Sequence, residues 1–96
     1  MITLANPSHP GEVLYELFLQ PLDMSAGALA KRLDVKRTRI ERLVKGETGL
    51  TADTALRLST FFGNTAEFWM NLQRAYDLHK AKQKVDVSAI HPMQAA

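Results

Sequence analysis

Lys36, Arg37, Arg39, Arg42 and Lys45 place five cations within ten consecutive positions of the stretch LDVKRTRIERLVKG, residues 33–46. Ile40, Leu43 and Val44 are threaded between them at helical spacing. At about 100° per residue these three apolar side chains share a narrow sector; Thr38, Glu41, Arg42 and Lys45 lie opposite, with Arg37 and Arg39 flanking. Such a helix is bound to the rest of the protein along one edge and turns a basic ridge outward. The chemistry available to that ridge is attraction to a dense array of negative charge. The competing interpretation is a solvated face held by pairs such as Glu41–Lys45, each worth a few tenths of a kcal/mol.

The charge distribution favours the ridge. Residues 1–24 carry Glu12, Glu16 and Asp23 and no lysine or arginine, whereas residues 25–46 carry seven basic and two acidic groups. From residue 47 onward five of each sign cancel, so the net charge of +2 conceals a strongly positive central segment. That pattern predicts a polyanionic partner for one region of the chain.

The elements that must position the ridge are helical. Pro10 starts a first helix, HPGEVLYELFLQ, with Val13, Leu14, Leu17 and Phe18 on its inner face and Pro21 ending it. Ser25 caps a second helix, SAGALAKRL, which buries Leu29, Ala30 and Leu33 and is weakened by Gly27. The basic helix starts near Lys36 and closes at Gly46. Thr51 caps a fourth helix with Ala55, Leu56, Ser59 and Phe62 inward and Gly63 as its stop; Thr65 caps a fifth and longest, running to residue 84. Glu67 in the first turn of this last helix and lysines at its end suit the helix dipole. The fold class predicted is all-α with five helices, as one domain over residues 9–84 between tails at 1–8 and 85–96. The only strand-like alternation is VDVS, residues 85–88.

The second and third helices form a recognisable unit. A short helix, a tight turn at Asp34-Val35 and a second amphipathic helix, with the small Ala30 permitting a close, steep crossing, make a helix-turn-helix over residues 25–46. In that motif the second helix enters the DNA major groove.

The stretch LAKRLDVKRTRIERLVKG resembles the helix-turn-helix of the lambda-repressor-like (XRE) family, and the surrounding segments narrow the resemblance. HPGEVLYELFLQPL before the motif and TGLTADTALRLSTFFGNTAEFWMNLQRAYDL after it look like the HigA-type antitoxins of bacterial toxin–antitoxin operons. The resemblance covers roughly residues 9–80, and the joint occurrence of HPGE and EFWMNLQ is its most specific part. One departure is Asp34 at a turn position often held by glycine; Asp tolerates a left-handed backbone better than most residues.

The resemblance implies roles. Base edges would be read by Arg37, Thr38 and Arg42; an arginine fork on guanine O6 and N7 is worth ~1–3 kcal/mol of discrimination. An ion pair with Glu41 is the alternative role for Arg37. Lys36, Arg39 and Lys45 are expected on phosphates, which fix register without reading sequence. Backbone amides at the start of the Ser25 helix are expected to hold a further phosphate. One such module covers few base pairs, so a symmetric homodimer on an inverted repeat is expected, with recognition helices ~34 Å apart. Phe68, Trp69, Leu72 and Tyr76 form an aromatic-rich stripe on the fifth helix and are expected at the dimer interface, with core closure as the alternative.

Three functions follow. The leading expectation is an antitoxin that represses its own operon and neutralises a HigB-type ribonuclease toxin. The alternatives are a free-standing transcriptional regulator and a protein-interaction module that binds DNA poorly. Catalysis is not expected. His9, His79 and His91 are scattered, no cysteine exists, and GETG at 46–49 is not a phosphate-binding loop. No metal, cofactor or membrane segment is expected, and with no secretory signal and no disulfide the expected location is the cytoplasm.

Overall fold

A computed structural model describes residues 6–94, and the expectations for residues 1–5 and 95–96 of the two tails lie outside the described residues. Five α-helices are present among them: α1 (Pro10–Val13), α2 (Ala26–Leu33), α3 (Arg37–Val44), α4 (Ala52–Phe62) and α5 (Ala66–Lys84). No strand occurs among the described residues; Val85–Ser88 is irregular and exposed. Helix α1 packs on α3 and α5, α2 on α3 and α4, and α4 on α5, so that α3 is supported from two sides.

The first helix departs from expectation. After one α-turn it continues as a π-helical segment, Leu14–Leu19, in which the Gln20 N–H donates to the Tyr15 carbonyl at 2.9 Å. A wider turn moves the inward position from the fourth residue to the fifth. Leu14 and Leu19 are both buried, whereas Leu17, expected inside, is 58% exposed. In α4 the inward stripe is Thr54, Ala55, Leu58 and Ser59; Leu56, expected inside, faces solvent because it sits about 100° around the helix from Ala55.

Local signals at the helix ends hold. The hydroxyls of Ser25, Thr51 and Thr65 accept from the amides of Ala28, Thr54 and Phe68. Gly63 closes α4 in the left-handed conformation. At the end of α3 the Gly46 amide donates to Leu43 and the Glu47 amide to Arg42, with Gly46 at φ 76°. That arrangement satisfies the last carbonyls of the helix.

The core gathers Leu14, Leu19, Leu29, Leu33, Ile40, Leu43, Leu58 and Trp69. Trp69 has no exposed surface and its indole N–H donates to Asn64 Oδ1 at 2.8 Å. Phe18 and Phe62 tilt against each other at 4.8 Å, and Phe18 stands 4.8 Å from the Trp69 ring. The dimer role expected of Trp69 is therefore corrected: it closes the monomer's own core. Leu72 also packs partly on that core, Phe68 lies edge-on to Trp69, and Tyr76 lies edge-on to His9 at 5.0 Å.

Candidate nucleic-acid interface

The helix-turn-helix is built from two backbone devices. Asp34 ends α2 at φ 58°, ψ 49°, the left-handed conformation expected there. The Val35 amide then donates back to the Ala30 carbonyl at 3.0 Å, so the chain reverses within two residues. Lys36 is the N-cap of α3 rather than a residue of its first turn, and no side chain caps the helix. Ile40 and Leu43 anchor α3, and the fully buried Ala30 lets α2 cross close to it.

Helix α1 fixes the other side of α3 by a contact that only glycine permits. A Cβ on Gly11 would collide with the Leu43 carbonyl. His9 holds this turn of α1 in place, its Nδ1 accepting from the Gly11 amide at 2.9 Å. Burial lowers the pKa of His9 below its ordinary value of 6.5, against smaller opposing effects of the Thr48 backbone, Asp77 and Glu12. The neutral ring is the form that can accept the amide hydrogen.

Lys36, Arg37, Thr38, Arg39, Arg42 and Lys45 are all exposed, and Ser25 is exposed at the start of α2. The outward ridge thus exists as one surface. Among the described residues Lys36, Thr38, Arg42 and Lys45 make no side-chain hydrogen bond or ion pair. Arg37 differs, because its Nε lies 3.5 Å from Glu41 Oε2, the alternative role anticipated for it. Its aliphatic stem passes over Gly27, where a Cβ would stand 3.0 Å from Arg37 Cδ. The glycine that weakens α2 thereby makes room for a recognition-helix side chain.

Arg39 is also engaged. Its guanidinium donates to Asp53 Oδ1 at 2.8 Å, and Arg57 Nε donates to the same oxygen at 2.8 Å. Arg57 continues to the Leu33 carbonyl at 2.8 Å and to that of Asp34 at 3.3 Å, satisfying the end of α2. These hydrogen bonds, that from Arg57 first, hold the Asp53 carboxyl below the usual carboxylate range. Sequence reasoning missed Asp53 and Arg57. Their i, i+4 spacing on α4 was a visible signal, but the reach of Arg57 to α2 was not. An open groove of about 1040 Å³ runs beside α3, lined by Lys36, Thr38, Arg39, Arg42, Asp53 and Arg57 among others.

Among the described residues no three His, Asp or Glu side chains gather as a metal site, and no helix is long and apolar enough to cross a membrane.

Comparisons with known proteins place this geometry. A family model described as helix-turn-helix matches residues 14–69. The chain is 50% identical over 86 residues to virulence-associated protein I of Dichelobacter nodosus, covering 88% of this chain and 80% of that protein. The solved structure of antitoxin GraA in complex with its operator superimposes with a TM-score of 0.88 at 39% identity, over 94% of each chain. The Pseudomonas aeruginosa antitoxin HigA, solved with the higBA promoter, gives a TM-score of 0.84 at 36% identity over 93% of this chain and all of that one, 100%.

Proposed function

The chain belongs to the XRE-type helix-turn-helix family, on the branch that holds the HigA antitoxins, and from that premise we propose that it is an operator-binding antitoxin that represses its own toxin–antitoxin operon and neutralises a HigB-type ribonuclease. The observation that carries the DNA half is the exposed face of α3, where Lys36, Thr38, Arg42 and Lys45 stand without a side-chain partner among the described residues. Cations left unpaired on a helix anchored from two sides have no protein ion pair to give up when they turn toward phosphates.

In this reading Arg42 and Thr38 read base edges, joined by Arg37 once it exchanges Glu41 for a base. Lys36 and Lys45 bind phosphates, and the capped start of α2 at Ser25 offers its amides to another. Arg39 meets phosphate only as a side chain already held by Asp53. The dimer forms through the part of α5 that Trp69 leaves free, where Phe68 is 38% exposed and Leu72 and Tyr76 are half-buried. The protein works in the cytoplasm, where its operator lies.

Fluorescence anisotropy with a duplex from the DNA upstream of the coding sequence tests the first half. If the dimer neutralises about six phosphates, log K falls against log salt with a slope of roughly −5; a flat dependence rejects the basic ridge as the binding surface. Co-expression with the product of the adjacent open reading frame tests the second half. Relief of growth arrest and co-purification support the antitoxin role; DNA binding with neither leaves a free-standing regulator.

A further inference from the structure

We propose that Asp53 is a specificity-determining residue: by holding Arg39 it suppresses binding to non-operator DNA more than binding to the operator. The inference rests on the DNA-binding reading above and adds to it a residue outside the recognition helix.

Asp53 stands in the first turn of α4, and its Oδ1 alone accepts from both Arg39 and Arg57. Through Arg57 and its bonds to the Leu33 and Asp34 carbonyls, that oxygen is tied to the end of α2; through Arg39 it is tied to α3. One carboxylate therefore links both helices of the motif to α4. It is not hidden, since its side chain is 57% exposed in the groove that Lys36, Thr38 and Arg42 also line. A fixed negative charge on a surface built to meet a polyanion reduces attraction, so its presence needs a gain elsewhere.

The gain is in discrimination. Non-specific binding is almost entirely counterion release by cations free to follow any phosphate. For Arg39 a loosely placed phosphate replaces an ion pair already made, and the exchange yields little. Where base contacts have fixed the register, the situation differs. A guanidinium carries five donors, and the bond to Asp53 uses one of them. The remaining donors are delivered in a fixed direction, so a phosphate at the right place is met without ordering a long side chain. The same carboxylate that weakens random contacts thus prepares the programmed one.

The test uses the full chain and two probes: the duplex that the wild-type protein enriches from a randomised library, and a scrambled version of it. Asp53→Asn is expected to raise affinity for the scrambled duplex by roughly fivefold at low salt, the upper range for an exposed ion pair. The salt slope for that duplex should steepen by about 1 for each protomer engaged. Operator affinity should stay level or fall, so the ratio of the two affinities drops. In an Arg39→Gln background the same substitution should change scrambled-duplex binding less than about twofold, because Arg39 is no longer there to be released and Arg57, which also loses Asp53, stays bonded to the Leu33 and Asp34 carbonyls. Asp53→Glu, which keeps the charge, should restore much of the ratio, while circular dichroism confirms that each variant is folded.

An unchanged ratio in Asp53→Asn overturns the proposal, as does an increase that persists without Arg39, which would come from the lost negative charge or from Arg57 instead. A wild-type protein that enriches no duplex at all rejects the DNA-binding reading itself, and the role of Asp53 with it.

Discussion

Helices α3 and α5 solve opposite problems. Helix α3 has eight residues, too few to be stable alone, and is held by Ile40 and Leu43 against α1 and α2. Everything it exposes is polar. Helix α5 has nineteen residues, and its buried anchor is Trp69 near its start. Every residue from Lys80 to Gln94 is exposed, Val85, Val87, Ile90 and Met93 among them, and Leu78 just before is 52% exposed. A short helix whose position is dictated by its neighbours suits recognition, because its side chains arrive with a fixed orientation. A long helix buried near its start, with Leu78 exposed on it and exposed apolar side chains in the segment that follows, suits assembly with another protein.

Substitutions at the buried anchor and on the exposed length of α5 separate these roles. Trp69→Ala should lose ~3–5 kcal/mol of stability by opening a cavity under the Phe18 and Phe62 rings. Leu78→Ala, on the exposed length of the same helix, should change monomer stability by less than about 0.5 kcal/mol. Urea denaturation of both decides it, and equal losses would erase the distinction between the two parts of α5.

Gly11→Ala attacks α3 from behind. The added methyl meets the Leu43 carbonyl, a rigid backbone atom, so α1 and α3 must move apart at a cost of ~1–3 kcal/mol. Operator affinity should fall in this variant although no surface cation has changed. A variant that binds operator normally while losing stability would show that α3 does not depend on α1 for its position.

On the outer face of α3 the contrast is finer. Arg42→Ala should lose ~1–3 kcal/mol of discrimination at one symmetric pair of operator positions. Lys45→Ala should weaken all duplexes about equally. A panel of single-base operator variants measured with both proteins checks the pair, and sequence-uniform losses in both would remove Arg42 from base reading.

The smallest expected effect concerns the support of α1. Because burial lowers the pKa of His9, its contribution to stability is complete above pH 6.5 and declines as pH falls below that value, where the unfolded chain takes up the proton first. The thermal midpoint of the wild type should therefore drop more between about pH 7.5 and about pH 5.5 than that of His9→Asn, whose side-chain oxygen can still cap the turn. Equal shifts would show that the imidazole does not govern this end of the molecule.

What could be read from residues alone was what adjacent residues decide. The caps at Ser25, Thr51 and Thr65, the stop at Gly63 and the left-handed turn at Asp34 each depend on a few neighbouring atoms, and each stands in the structure. The family was legible for the same reason, since its signature lies in contiguous runs. Three kinds of feature were hidden. Leu17 and Leu56 were placed inside by a regular period that a π-turn breaks in one case and that Leu58 fits better in the other. Trp69 was assigned to an interface by its residue type, whereas the ring cluster around it is assembled from three separate elements. Arg57 reaches a carbonyl 24 positions earlier, a contact that no local pattern encodes.

The π-helical segment carries a consequence for how this scaffold varies in length. Its two inward leucines, Leu14 and Leu19, stand five positions apart where an α-helix would ask for four. Removing one residue between them would return the segment to ordinary winding and still leave both leucines inside. The stretch between Pro10 and Ser25 is thus a place where a single-codon deletion is absorbed locally. Homologues are expected to differ there by one residue while α3 keeps its seat.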